Sequence, residues 1–492
     1  MRALFRAYYP NRPISSARGA LLTPRRPPHR RPNSTTSAAI NEAVAKSHVM
    51  HRALRSEPRR IVSGQGISFT LADGTTLIDA SSGPGVSCLG HRRPDVAQAV
   101  ADQINRIGYV YSIGYTSEPA EELADMLLRD RPGGLARAMF FNSGSEATDA
   151  AVKLATQYWA EKGEGGRRRN VISRAQSYHG NTIGALCVSG HQARRQMYSD
   201  WMSHNVSFVD PCYAYRAKPE GQSDHEYLAE LVKQLDDEFQ RLGPETVSAF
   251  FAETISGTTL GCVSAVPGYF KAVRELCDKY GALLILDEII CGMGKTGTMH
   301  AWEQEEGFRG PDLQTIGKTL GGGFVPLSAV LVHEKVFDAL AAGSGALSHG
   351  HTFQAHPTAC AAAIEVQKII ERENLLENCR KMGALLGELM EAEILPLPLV
   401  GDVRGRGLYY AAEFVLDKQA KTAFPVDENF SSKVVAAAAE LGLNILGNLG
   451  KTGPIDVEHV MITPPYIITE AEVVKVVQLL KQAIQKASEA YL

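Results

Sequence analysis

Between about residues 100 and 360, short apolar runs alternate with longer amphipathic stretches, and this alternation constrains the fold more than any other feature of the chain. The runs 138–141, 170–173, 206–209, 247–252, 282–286, 313–316 and 327–332 have the length of strands. Stretches with helical spacing, such as 147–159 and 269–280, lie between several of them. A strand that is apolar at every position has both faces covered. Such strands alternating with helices predict an α/β fold with a mainly parallel sheet clothed by helices. Ligands in sheets of this kind gather at the carboxyl ends of the strands, so the residues just past each run are the ones to inspect.

The two ends of the chain read differently. Residues 67–70 and 76–79 flank a turn at Asp73–Gly74, as in a hairpin. Long helical patterns at 364–373, 378–393, 431–441 and 470–491 mix with short strands near the C-terminus. At 492 residues the chain exceeds the size at which a single core usually stops growing. The expected division is a large domain at 101–360 and a smaller α+β domain built from both termini, 37–100 and 361–492. Residues 1–36 are set apart. Arg2, Arg6, Arg12, Arg18, Arg25, Arg26, Arg30 and Arg31 alternate with Ser and Thr, and no acidic residue precedes Glu42. That composition predicts a mitochondrial transit peptide and a matrix location.

Several classes are excluded on composition. A net charge of −3 offers no basic field to a nucleic acid. No unbroken apolar run approaches the length of a membrane span. The eight cysteines are scattered without a C-x-x-C pair, which predicts a reduced chain with no disulfide framework. Gly-Lys-Thr occurs at 294–296, 317–319 and 450–452, but Ile289, Asp312 and Ile445 stand where a nucleotide-binding P-loop needs glycine. His349, His351 and His356 have no acidic or Cys partner in step with them, and no metal site is predicted.

Three strand ends carry chemistry. After 138–141 comes Asn142-Ser143-Gly144-Ser145-Glu146 and then a helix. A helix start with Ser and Gly presents N–H groups to an anion, although Ser-x-x-Glu is equally the pattern of a capping box. After 282–286 comes Asp287, a carboxylate that needs a cationic partner if it is buried; a loop-capping Asp reads the same way. After 313–316 comes Gly317-Lys318, with glycines at 321–323. A lysine made less basic by burial is a Schiff-base nucleophile, whereas a solvent-exposed loop lysine is not. In this chain order the three supply what pyridoxal 5'-phosphate (PLP) requires: a phosphate cradle, a pyridinium partner and a lysine for its aldehyde.

The segments FFNSGSEATDAAVKLA (140–155), SYHGNT (177–182), LLILDEIICGMGKTG (283–297), TIGKTLGGG (315–323), HTFQAHP (351–357) and DVRGRGL (402–408) carry a resemblance to the class III, omega-type aminotransferases, from about residue 60 to the C-terminus. The resemblance implies fold-type I and a homodimer with shared active sites. It implies Gly144 and Ser145 at the phosphate, Tyr178 and Ile289 on the two ring faces, and Glu253 near the 3-hydroxyl. It also implies Asp287 at the pyridine nitrogen, Lys318 as the catalytic Schiff-base lysine, and Thr352 reaching the neighbouring subunit's phosphate. Arg404 aligns with an arginine that binds substrate carboxylate in several members, and Tyr115 falls where it lines the pocket. A guanidinium suits the first task; an ion pair and a core tyrosine are the plain readings.

The chain departs from the family pattern in places. Thr254 follows Glu253 where proline is usual, and Gly257-Thr258 lacks the second Glu of ornithine- and 4-aminobutyrate-type enzymes. The segment 447–457 lacks the mobile arginine of some omega-transaminases; Lys451 is its one cation. The expected function is PLP-dependent transfer of an amino group from an amine or amino acid to a 2-oxo acid. Two alternatives stay open at this stage: a decarboxylation-coupled transaminase of the dialkylglycine decarboxylase type, and a silent PLP-fold binding protein.

Overall fold

The computed structural model describes residues 47–54, 56–448, 451–454 and 457–492; the segment read as a transit peptide lies outside them. The described residues up to Arg60 and those of Ile61–Leu492 form separate compact units. In the first, Ser47 Oγ lies 3.2 Å from His51 Nε2 in a local turn.

The centre of the second unit is a seven-stranded sheet. The strands are β1 (Leu135–Phe141), β2 (Asn170–Arg174), β3 (Val206–Val209), β4 (Val247–Glu253), β5 (Leu283–Glu288), β6 (Leu313–Ile316) and β7 (Ser328–His333). Their order is β1-β7-β6-β5-β4-β2-β3. Strands β2 to β6 pair in parallel, and β7 runs antiparallel to both β6 and β1. The fold is thus the expected α/β class with a mainly parallel sheet.

Period-two alternation explains why β4 and β5 are buried along their whole length. Phe250 and Ala252 of β4 join Leu284 and Leu286 of β5 in one core, with Leu235, Phe239, Phe270 and Val273 from the covering helices. Ala249, Phe251, Leu283 and Ile285 point to the other face, against Ala147, Ala151 and Leu154 of α1 (Gly144–Glu161). Successive side chains go to opposite cores. A polar residue is therefore tolerated only where the strand ends, and that is where Glu253, Asp287 and Glu288 stand.

The two ends of the second unit meet. Thr76–Asp79 pairs with Leu443–Asn444 in parallel, and Thr463 N–H donates to the Ala80 carbonyl at 2.7 Å. Ile67, Leu89 and Val96 share a core with Met382, Val434, Val477 and Leu480. The hairpin read from sequence is present as Ser68–Leu71 and Thr76–Asp79, with Gly74 in its turn at φ +88°. No helix of the described residues is long and apolar enough to cross a membrane. All eight cysteines are buried and unpaired.

Candidate active site

The parallel register places Asp287, near the end of β5, directly beside Glu253 at the end of β4. Two carboxylates on adjacent buried strand ends are costly unless donors surround them. Asp287 is 5% exposed and held from three sides. The Ile289 N–H (2.9 Å) and Thr315 Oγ1 (3.2 Å) donate to Oδ1, and His179 Nδ1 lies 2.8 Å from Oδ2. Glu253 accepts the N–H of Gly257 at 3.1 Å and that of Tyr178 at 3.4 Å. Burial pushes the Glu253 carboxyl above its ordinary pKa and Asp287 adds to this, while His179 and Arg174 oppose it.

Lys318 follows β6 in the left-handed region, at φ +42°, and opens a short 3-10 turn, Lys318–Leu320. A lysine seldom adopts that backbone, so the surrounding loop must hold it there. Burial pushes its ammonium below the ordinary lysine pKa, and the charges of Asp287 and Glu253 pull it partway back. The amine thus feels the charge of both carboxylates and is easier to deprotonate than a lysine in water.

The start of α1 is both of the things its sequence allowed. Ser143 Oγ accepts the Glu146 N–H at 3.3 Å, while Glu146 Oε2 accepts the N–H groups of Asn142 and Ser143 at 2.8 and 2.9 Å. This capping box takes the donors before and at the cap and leaves those of Gly144 and Ser145 outside it. Ser145 Oγ accepts the Asn181 N–H at 3.0 Å. The approach needs Gly180 at φ +133°, because a Cβ there would stand 2.6 Å from Ser145 Oγ. Ile289 packs on the same helix start: a Cβ on Gly144 would meet its Cγ2 at 3.0 Å, and one on Gly317 its Cδ1 at 3.1 Å. Ile289 therefore bridges the cradle and the Lys318 loop. Ser328 Oγ closes the floor by donating to the Ser143 carbonyl at 2.6 Å. Tyr178 is half-buried, with the guanidinium carbon of Arg194 4.8 Å from its ring centre.

Seven of the residues singled out in the sequence are thus brought to one edge of the sheet: Gly144, Ser145, Tyr178, Glu253, Asp287, Ile289 and Lys318. Three lie elsewhere in the chain's own contacts. Thr352 is exposed, and its carbonyl accepts the Tyr109 hydroxyl at 3.0 Å. Tyr115 is 74% exposed. Arg404 is turned into a network of its own. Its Nε donates to the Gly261 carbonyl (2.7 Å), its Nη1 to Asp402 (2.6 Å) and its Nη2 to the Leu260 carbonyl, and Nη2 also pairs with Glu413 at 2.7 Å.

His179 is the residue the sequence reading passed over. Its side chain is fully buried, 4.5 Å from Phe251 between ring centres, and its Nε2 has no hydrogen-bond partner. The available signal was its place after Tyr178 in SYHGNT, but a histidine on a loop gives no hint of which carboxylate it will face 108 residues later. Lys153 Nζ sits 2.8 Å from His349 Nδ1, and the described residues hold no group of three or more ligating side chains placed for a metal.

The family model for class-III aminotransferases matches residues 49–484. An uncharacterized aminotransferase of Schizosaccharomyces pombe is 42% identical, over 92% of this chain and 98% of that protein. The taurine–pyruvate aminotransferase of Bilophila wadsworthia is 33% identical, over 91% and 98%. Among solved structures, the omega transaminase from Pseudomonas jessenii in complex with PMP superposes with a TM-score of 0.85 at 29% identity, covering 92% of this chain and 99% of that one. A thermostable (S)-enantioselective omega-transaminase from Thermomicrobium roseum gives 0.84 at 32% identity, covering 92% and 100%.

Proposed function

The chain belongs to the class III aminotransferases, and we propose that it uses pyridoxal 5'-phosphate, held at the carboxyl edge of β4, β5 and β6, to move an amino group from an amine or amino acid to a 2-oxo acid. The observation that carries this reading is the convergence of Lys318, Asp287 and Glu253 at adjacent strand ends, with the lysine amine made less basic by burial.

The residues present fit the cofactor. The uncommitted N–H groups of Gly144 and Ser145 at the start of an 18-residue helix suit a phosphate. Gly144 is tight against Ile289, so a side chain there would displace the residue proposed to cover the ring. Asp287, anchored by His179, Thr315 and the Ile289 N–H, keeps an anion in place for a protonated pyridine nitrogen. PLP bound there would act as an electron sink for the substrate carbon next to the amine.

The chain's own groups do the rest. Lys318 Nζ would supply the amine that retains the cofactor and, once free, the base that carries the proton from the substrate carbon to the cofactor carbon, so that the amino group can stay behind when the oxo acid leaves. A burial-lowered pKa raises the share of neutral amine available for both tasks. Tyr178 and Ile289 limit water at the two ring faces, while Glu253 fixes the Tyr178 backbone through its N–H.

Thr352, exposed at the surface with Tyr109 against its carbonyl, is proposed to complete the phosphate site of a second copy. Exposed Ile107, Tyr111, Ile113 and Tyr115 support a homodimer as the reason such apolar area is displayed. Light scattering that gives a monomer would remove this part. The division into 101–360 and a smaller domain from 37–100 and 361–492 is proposed likewise, supported by the sheet that joins Thr76–Asp79 to Leu443–Asn444. Delivery to the mitochondrial matrix is proposed from the acid-free, Arg-rich residues 1–36; a mature protein from mitochondria that still carries them would count against it.

The deciding experiment is the absorbance spectrum of the purified protein before and after amines are added without any oxo acid. A visible cofactor band that an amine alone abolishes supports the reading. No band, even after added PLP, sinks it.

A further inference from the structure

A 2-oxo acid acceptor brings a carboxylate into the site, and a carboxylate in a half-dry pocket needs a cation. The cations around the carboxyl edge are nearly all engaged. Arg174 donates to the Glu253 carbonyl. Arg195 Nη1 donates to the carbonyls of Leu186, Cys187 and Ser189 at 2.6 to 2.8 Å. Arg404 is surrounded by Asp402, Glu413 and two carbonyls. Lys295 is fully buried, 3.4 Å from the Pro464 carbonyl and over the Tyr466 ring. Lys318 is reserved for the amine chemistry.

Arg194 is different. It lies on the short helix α2 (Gln192–Gln196), half-buried, with its guanidinium against the ring of Tyr178. Its Nε is buried and has no hydrogen-bond partner, and among the described residues no carboxylate pairs with it. A guanidinium N–H left unpaired out of water costs free energy until an acceptor arrives. The neighbour whose electrostatics it perturbs is His191. Burial and the Arg194 charge hold that imidazole down to about 4, so it is neutral near pH 7, and its buried Nδ1 is also without a partner. The position of α2 is set by the segment 451–454: the Gln192 N–H donates to the Thr452 carbonyl at 3.0 Å and the Ala193 N–H to the Lys451 carbonyl at 3.1 Å.

We infer that Arg194 is a specificity-determining residue: its guanidinium receives the carboxylate of the acid-bearing substrate beside Tyr178, a role for which Arg404, already paired with two carboxylates and two carbonyls, is hardly free. The inference rests on the proposed transamination with a 2-oxo acid. It selects amino acids and oxo acids over amines that carry no acid group.

The test uses the wild-type protein purified with PLP, R194Q and the charge-keeping R194K. Two quantities are read: the rate of cofactor-band loss with β-alanine and with propylamine, and the calorimetric Kd of propionate, which has the acid group but no amine to react. R194Q is expected to weaken propionate binding and the β-alanine rate constant by roughly 100-fold. Propylamine should change by less than about threefold, and R194K should recover part of the loss. Equal losses for both amines would overturn the inference and make Arg194 a support for Tyr178. Unchanged propionate binding, or a wild type that binds no propionate, would overturn it as well. If the wild type converts neither amine, the transamination reading is in doubt, but the propionate Kd still decides the role of Arg194.

Discussion

Lys318 and Arg404 are both cations set among carboxylates, and the fold treats them in opposite ways. Lys318 follows a buried strand in a left-handed turn, and the charges of Asp287 and Glu253 on the neighbouring strand ends act on its amine. Both carboxylates are held by other donors, so the amine stays available. Arg404 has the same kind of company in Asp402 and Glu413, but there the pairing is closed by the carbonyls of Leu260 and Gly261. Arg216 and Tyr213 take the remaining positions on Glu413. The difference teaches that a charged residue in a family motif is a reagent only if packing leaves it a free valence. In one cluster the carboxylates are bonded to groups other than the lysine; in the other they are bonded to the arginine itself.

Mutation can break this comparison, and the largest effect belongs to the open cluster. Lys318→Ala should lower steady-state turnover by roughly 10⁴-fold or more, with the melting temperature nearly unchanged. Substantial turnover would mean that the Lys318 amine is not the reactive one. Asp287→Asn should cost about 10² to 10³-fold in the half-reaction rate by removing the anion while keeping the shape. His179→Ala should cost less, about 10 to 100-fold, since Thr315 and the Ile289 N–H still hold Oδ1. It should also shift the visible band, a readout that loss of packing alone would not give.

The closed cluster is expected to answer in stability instead. Arg404→Ala leaves Glu413 buried and should cost about 3 to 5 kcal/mol in urea unfolding, with little change in the preference for acid-bearing amines. A selective loss of those amines with unchanged stability would support the substrate role read from DVRGRGL. The pH dependence sharpens the point. Burial alone would raise the Glu413 carboxyl, but Arg404, Arg216 and Tyr213 hold it below its ordinary value. Its contribution is therefore present above the unfolded carboxylate pKa and lost as pH falls through the folded one. Stability measured from pH 7 downward should fall less steeply in the Arg404 variant. The smallest effect is expected at the helix start. Ser143→Ala should cost about 1 kcal/mol, because the box it anchors serves the helix while Gly144 and Ser145 stay outside it.

Much of this was legible beforehand. The unbroken apolar runs of β4 and β5, the capping box at Ser143 and Glu146, and the strand-end positions of Asp287 and Lys318 depend on neighbours a few residues away. A short apolar run or a spacing of three expresses them directly. His179 was not legible, since its value comes from Asp287 on a strand 108 residues away. Nor was the pairing of Arg404 with a carbonyl 143 residues earlier, or the unpaired Nε of Arg194 against Tyr178.

The sequence by itself determined the kinds of residue, the strands that carry them to the sheet edge, and the chemistry those kinds allow. Only the tertiary structure decided which donors are spent and which remain. Hydrogen-bond satisfaction inside a protein is settled by groups that meet across the fold, and those meetings are set by packing over the whole chain.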